Sequence, residues 1–261
     1  MSFELVDTHC HLNYDYSPKT TEDLVREAFG AGVKTLITIG TESKTIRDVQ
    51  LISEKFDNVY HTMGFHPHEA VTITDEDIEL LKKAVQHPKC KAVGEIGLDY
   101  YYDHSSPEVQ KKWQEAQLEV ALEADLPVVI HSRDAEADQL EALKKYCNKL
   151  KPHKIPGIIH CFTGTKDFGL ACIDLGFYIS LSGILTFKNA KDLQEAVKVF
   201  PLERLLVETD SPYLAPVPMR GKKCEPSMVQ YTAMKLAELK GVSLDEVAST
   251  TTQNAKAIFR I

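Results

Sequence analysis

Short runs of aliphatic and β-branched residues alternate along this chain with longer stretches whose apolar positions recur at helical spacing. The short runs fall at residues 5–12, 33–39, 59–64, 91–99, 126–130, 157–159, 177–182 and 204–207, and each predicts a strand. The stretches between them predict helices at 20–32, 43–56, 75–86, 107–124, 135–147, 168–175 and 192–199. Two further helices, at 228–239 and 244–257, close the chain. Leu24, Val25, Ala28 and Phe29 give the first helix one apolar side, and Ile46, Val49, Ile52 and Ser53 do the same for the second. Thr21 and Ser243 are read as N-caps, since each precedes an apolar-periodic run and carries an oxygen that can accept from a free backbone N–H.

Strands and helices that alternate this regularly, with short connections, predict an α/β fold with a parallel sheet and helices outside it. Eight such units predict a (β/α)8 TIM barrel, a single domain over residues 1–261. No Pro/Ser-rich linker, low-complexity tract or repeat divides the chain. A doubly wound open sheet fits less well, because it uses fewer strands and a Gly-rich turn after the first strand, which is missing here.

Composition changes this picture little. The chain has 261 residues, 43% hydrophobic and 26% charged, with a formal net charge of −8. A protein this acidic does not hold nucleic acid by bulk charge, so a polyanionic substrate would be held locally, by metal ions or a small basic patch. Residues 1–7 lack the basic start and apolar core of a signal peptide, and no apolar run approaches membrane-spanning length. The six cysteines form no CxxC pair, which predicts reduced thiols in a cytoplasmic protein. No membrane association and no obligate protein partner is indicated.

The candidate chemistry lies in where the polar residues fall. His9 and His11 end the first strand, His66 and His68 the third, Glu95 the fourth, His131 the fifth, His160 the sixth and Asp210 the eighth. In a barrel this is the end at which active sites form. Period 2 would set Asp7, His9 and His11 on one face, with Cys10 on the other. Glu95 interrupts the apolar run Ala-Val-Gly-Glu-Ile-Gly, and a buried carboxylate is costly unless paired or bound to metal. Pairing to an Arg or to a helix N-terminus would be the plain explanation. With histidines at the neighbouring strand ends, Glu95 is expected to sit between two divalent cations. Mixed imidazole and carboxylate donors suit Zn²⁺, Mn²⁺ or Co²⁺ better than Mg²⁺. The basic run at 144–154 precedes a strand, which places it at the opposite barrel face as solvated surface.

Seven segments in order, Val6-Asp7-Thr8-His9-Cys10-His11, Gly64-Phe65-His66-Pro67-His68, Gly94-Glu95-Ile96-Gly97-Leu98-Asp99-Tyr100, His131-Ser132-Arg133-Asp134-Ala135, His160-Cys161-Phe162-Thr163-Gly164, Ser182-Gly183-Ile184-Leu185-Thr186-Phe187 and Glu208-Thr209-Asp210-Ser211-Pro212-Tyr213-Leu214, resemble the TatD-type metal-dependent hydrolases of the amidohydrolase superfamily. The resemblance implies that His9, His11, Glu95 and Asp210 hold one ion, and that Glu95, His131 and His160 hold the second. Many related barrels bridge with a modified Lys at the fourth strand; here Lys91 stands at that strand's start and Glu95 is the bridge. The implied activity is a divalent-metal-dependent deoxyribonuclease that cleaves DNA phosphodiester bonds through a water activated by two ions, with Asp210 and Glu95 as the catalytic carboxylates. Family members are often described as Mg²⁺-dependent, so Zn²⁺, Mn²⁺ and Mg²⁺ all stay open.

His66, Arg133, Arg220 and Lys222 are the candidate phosphate contacts; for Arg133 an ion pair with Asp134 is the competing role. Tyr100, Tyr101 and Tyr102, in a loop at 99–103, are candidates for stacking on unpaired bases, with at least one of them packing the loop. Met219 and Cys224 depart from the family's Pro-His-Arg-Gly…Asn-Glu-Pro loop, in a position to alter a substrate contact or a loop hydrogen bond but not a metal ligand. The alternative activity is a deacylase or amidohydrolase acting on an ester or amide, such as an aminoacyl ester. A non-catalytic metal or nucleic-acid binding protein would lack a ligand or Asp210, and neither is missing.

Overall fold

The computed structural model describes residues 4–102 and 104–261. Residues 1–3, and Asp103 of the expected aromatic loop, lie outside the described residues. Eight strands form one sheet in sequence order: β1 (Leu5–Cys10), β2 (Val33–Gly40), β3 (Val59–Met63), β4 (Cys90–Asp99), β5 (Val128–Arg133), β6 (Gly157–Ile159), β7 (Tyr178–Leu181) and β8 (Leu205–Val207). Every adjacent pair is parallel. The seam between β8 and β1 is drawn together just beyond the strand ends. Asp210 N–H donates to His9 O at 2.9 Å and His11 N–H to Ser211 O at 2.9 Å. This is the expected (β/α)8 barrel.

The helices are α1 (Thr21–Gly30), α2 (Ile46–Lys55), α3 (Asp75–Ala84), α4 (Pro107–Ala124), α5 (Glu136–Cys147), α6 (Lys166–Asp174), α7 (Lys191–Val199), α8 (Val229–Lys240) and α9 (Leu244–Phe259). Several start on a legible signal. Thr20, one residue before the expected cap, forms a capping box with Asp23, and Ser243 accepts from Glu246 N–H as expected. α1 buries Leu24, Val25 and Ala28, and α2 buries Ile46, Val49 and Ser53.

Two apolar clusters hold the barrel. The larger joins the outward strand residues, such as Leu36, Val93 and Ile130, to the helices. The smaller fills the lumen with Val6, Ile37, Ile39, Ala92, Val129, Ile158 and Leu206, and Ala255, Ile258 and Phe259 of α9 complete it. With the lumen filled by side chains, the histidines have room only at the strand ends.

His61, on β3, belongs to the packing. Ser53 Oγ donates to Gln50 O at 2.9 Å, so it accepts from His61 Nδ1 at 2.8 Å, and Nε2 is left buried without a partner among the described residues. Burial pushes the His61 imidazole down from its ordinary 6.5 to about 3, and His87, Lys89 and Lys91 add to the shift. The folded form therefore stays neutral at pH values where the unfolded chain takes up a proton. Stability is lost as pH falls below about 6.5, at up to about 1.4 kcal/mol per unit. Unfolding metal-free protein in urea at pH 7 and at pH 5 is expected to show His61→Asn losing about 2 kcal/mol less than wild type between the two. Equal losses would remove His61 from the acid sensitivity.

Candidate active site

Strict alternation along β4 would not aim Glu95 into the lumen. Val93 and Ile96, three apart, both pack in the outer cluster, and the pairing with β5 shifts register between them. The intervening irregularity turns Glu95 inward, the re-aiming that strand bulges commonly provide beside active sites. Gly97 lets β4 and β5 approach. Its φ is +147°, and a Cβ there would overlap the His131 carbonyl oxygen.

Around Glu95 four imidazoles converge from other strand ends. Glu95 Oε1 lies 2.8 Å from His160 Nε2, 3.1 Å from His131 Nδ1 and 3.3 Å from His66 Nε2, and Oε2 lies 3.4 Å from His9 Nε2. Asp210 Oδ1 stands 3.6 Å from His9 Nε2 and 3.5 Å from His11 Nε2. The donor atoms of His9, His11 and Glu95 lie within 4.8 Å of one another, as do those of His66, Glu95 and His131 and those of His9, His160 and Glu208. All six expected ligands therefore meet at one centre. His66, expected at the substrate, stands as close to Glu95 as the expected ligands do.

Two carboxylates outside the expected set orient these rings. Asp99 Oδ2 accepts from His131 Nε2 at 2.8 Å and from His68 Nε2 at 3.0 Å, while its Oδ1 accepts from the Tyr101 and Tyr102 backbone N–H groups. Glu208 Oε1 accepts from His160 Nδ1 at 3.2 Å and from Cys161 N–H at 2.7 Å. With those nitrogens donating, His131 Nδ1 and His160 Nε2 turn their lone pairs toward Glu95. Asp99→Asn is expected to lower metal affinity or turnover by about 10- to 100-fold. Titrating stripped protein with Zn²⁺ or Mn²⁺ checks it, and wild-type affinity and turnover together would show that Asp99 does not position His131.

Burial alone would raise Glu95 and Asp210, but the surrounding imidazoles outweigh it and hold both below the usual carboxylate range. Burial would lower His131 and His160; the facing carboxylates outweigh it and raise both. Burial lowers His9, and it lowers His66 to about 4. His9 Nδ1 and Nε2, His11 Nδ1 and His160 Nε2 are buried with no well-directed hydrogen bond among the described residues, although His160 Nε2 and His9 Nε2 lie close to Glu95. Buried polar atoms ordinarily find partners. Clustered imidazole nitrogens beside ionised carboxylates are the donor set of a divalent transition metal, so these residues fit a metal ion.

The centre opens into a cleft of about 730 Å³. Arg133 lines it, its guanidinium 3.8 Å above the Tyr101 ring and 5.0 Å from that of Tyr102; among the described residues it makes no ion pair with Asp134. Tyr100 donates to Asp138 Oδ2 at 2.8 Å and so packs the loop. Tyr14 and Tyr213 flank His11 on the other side. Glu69 puts negative charge on the same rim, where Glu42 is paired with Lys44 at 2.8 Å.

Arg220 and Lys222 do not line the cleft. Arg220 stacks over Phe187 at 3.9 Å and donates to Ala215 O, and Lys222 stands exposed on the same loop. Met219 and Cys224 pack with Ala215 and Met228 in a small apolar cluster beneath that loop. Asp7 does not face the histidines either. β1 shifts register between Asp7 and Cys10, and Asp7 accepts from Thr209 N–H and Oγ–H, tying β1 to the segment that carries Asp210. Burial pushes its carboxyl up to about 8.

The chain is similar to known proteins along its whole length. Residues 6–260 match the family model described as TatD related DNase. The chain is 41% identical over 257 residues to the uncharacterized metal-dependent hydrolase YabD of Bacillus subtilis, covering 98% of this chain and 99% of that one. It is 32% identical over 263 residues to a protein of Escherichia fergusonii named 3′-5′ ssDNA/RNA exonuclease TatD, covering 98% and 99%. Among solved structures, the TatD homolog YJJV from Escherichia coli superposes over all of both chains with a TM-score of 0.92 at 29% identity.

Proposed function

This chain belongs to the TatD-related DNase family of metal-dependent hydrolases, and on that premise we propose that it is a deoxyribonuclease using two divalent ions to hydrolyse phosphodiester bonds. The observation that carries the proposal is the convergence of His9, His11, His131, His160, Glu95 and Asp210, with imidazole nitrogens left unpartnered beside ionised carboxylates. In this reading His9, His11, Glu95 and Asp210 hold one ion, and Glu95, His131 and His160 hold the other.

The bound ions would lower the pKa of a water and neutralise charge building on the phosphate. The chain's own residues do the rest. Asp210, held ionised, accepts one proton of the attacking water as the water oxygen bonds to phosphorus and the ester P–O bond breaks, the leaving oxygen taking a proton from solvent to depart as an alcohol. Arg133, fixed over Tyr101, offers its guanidinium to a phosphate oxygen. Tyr102 and Tyr213 present exposed rings on which unpaired bases can stack. The six free thiols support the expected reducing, cytoplasmic compartment.

Glu69 favours a second reading. Its carboxylate would repel a polyanion on that rim and attract an ammonium, which suits an aminoacyl ester attacked at its carbonyl carbon. One assay separates the two readings. Stripped protein is reloaded with Zn²⁺, Mn²⁺ or Mg²⁺ and given labelled single-stranded DNA, duplex DNA and an aminoacyl ester. The nuclease reading predicts metal-dependent DNA cleavage. Intact DNA with every ion, alongside ester turnover, would replace it with the deacylase reading.

A further inference from the structure

β8 ends at Val207, so Asp210 is carried by irregular backbone beyond the strand. Its φ is +56°, in the left-handed region that non-glycine residues seldom adopt. Such a conformation persists only where the surroundings over-determine it. Here the residues on both sides of Asp210 are fixed. Asp7 accepts at Oδ1 from Thr209 N–H at 2.9 Å and at Oδ2 from Thr209 Oγ–H at 2.6 Å. Thr209 Oγ in turn accepts from Ser211 N–H at 3.2 Å, and Ser211 Oγ accepts from the Tyr16 hydroxyl at 3.0 Å. Two main-chain bonds to β1 close the frame, Asp210 N–H to His9 O and His11 N–H to Ser211 O, both at 2.9 Å. Asp7, Thr209 and Ser211 are all buried, so none of their side chains can touch a substrate.

We propose that Asp7 and Thr209 are positioning residues, which act through Asp210 by holding its backbone so that the carboxylate meets His9 and His11. The inference rests on the reading of Asp210 as metal ligand and proton acceptor. Rotation about φ at residue 210 carries the side chain with it, so whatever fixes φ fixes where the carboxylate stands. That place is narrow, with Oδ1 3.6 Å from His9 Nε2 and 3.5 Å from His11 Nε2. A buried carboxylate is costly where packing is the only need, since an apolar residue would pack without the desolvation penalty. The hydrogen bonds that Asp7 makes among the described residues go to Thr209 and, at 3.3 Å, to His9 N–H. One side chain thus grips the residue before Asp210 and the histidine that Asp210 faces. The Thr209 hydroxyl extends the grip across Asp210, because it donates to Asp7 and accepts from Ser211 at once.

The test compares Thr209→Val, which keeps the shape and removes the hydroxyl, with Thr209→Ser, which keeps the hydroxyl, and with Asp7→Asn. Each intact chain is stripped and loaded with Co²⁺, and its visible absorption spectrum is recorded beside kcat and KM on single-stranded DNA. Thr209→Val is expected to lower kcat by about 10- to 100-fold, as loss of a group that orients a metal ligand commonly does, with KM within about threefold of wild type. Its Co²⁺ spectrum is expected to change, because the Asp210 carboxylate shifts. Thr209→Ser is expected to recover both kcat and spectrum, and Asp7→Asn to follow Thr209→Val. Circular dichroism melts identify a temperature at which every variant is folded, and all comparisons are made there. A role in stability alone would lower the melting temperature of Thr209→Val while leaving its kcat and Co²⁺ spectrum as in wild type, and that result would overturn the proposal. So would a loss in Thr209→Ser as large as in Thr209→Val. If wild type cleaves no DNA with any ion, the nuclease reading falls and the spectra alone decide: a change in Thr209→Val that Thr209→Ser reverses upholds the positioning role, and identical spectra refute it.

Discussion

Glu95→Gln is expected to reduce metal-dependent kcat/KM by about 10³-fold or more and to empty the centre of metal. Glu95 stands between 2.8 and 3.4 Å from four imidazoles contributed by four other strand ends. The amide nearly keeps the shape of the carboxylate but loses its charge, and its NH₂ replaces one of two acceptor oxygens. The other nearby carboxylates are engaged differently: Asp210 faces His9 and His11, Asp99 is bound to the far sides of His131 and His68, and Glu208 accepts from His160 Nδ1 and the Cys161 N–H. Turnover and metal content by plasma mass spectrometry, measured on the same preparation, check the expectation. A variant that keeps two ions and near-wild-type turnover would exclude Glu95 as the bridge.

Asp210→Asn is expected to show a different signature. kcat should fall by about 10²- to 10³-fold, while at least one ion remains, since Glu95, His131 and His160 are untouched. The imidazoles of His11, His9 and His160 outweigh burial and hold Asp210 below the usual carboxylate range. It is therefore ionised, and able to accept a proton, throughout neutral pH. Activity should fall on the acid side as this group protonates, and that acid limb should vanish in Asp210→Asn. A residual rate that keeps the wild-type acid limb would assign the proton to another group.

The fold was legible because its signals are local. Each strand is a short apolar run, each helix carries a cap or a periodic face, and eight repeats of the unit leave little choice of architecture. The meeting of the six expected ligands at one centre was legible because they sort to one end of those strands. His61 shows the limit of that inference, since it is a histidine that serves packing and lies outside the sorted set. Asp99 and Glu208 were in plain view within the motif segments but carried no mark of their role, because their partners, His131, His68 and His160, lie 31 to 48 residues away in sequence. The register shift in β1 is equally silent in the sequence, so simple alternation set Asp7 beside His9, whereas Asp7 belongs to Thr209. Arg220 and Lys222 lay close to Asp210 along the chain, but their loop turns away from the cleft and packs over Phe187 and Ala215. Nearness in sequence does not fix direction once a chain leaves regular structure.

The central proposal is that the mouth of this barrel would hold two divalent ions, with Glu95 serving both. The most direct measurement is a titration of stripped protein with Zn²⁺ or Mn²⁺, following bound metal per chain and DNA cleavage in the same samples. The account predicts that cleavage rises with occupancy and levels off at two ions per chain. Full cleavage with one ion bound, or with none, would contradict it.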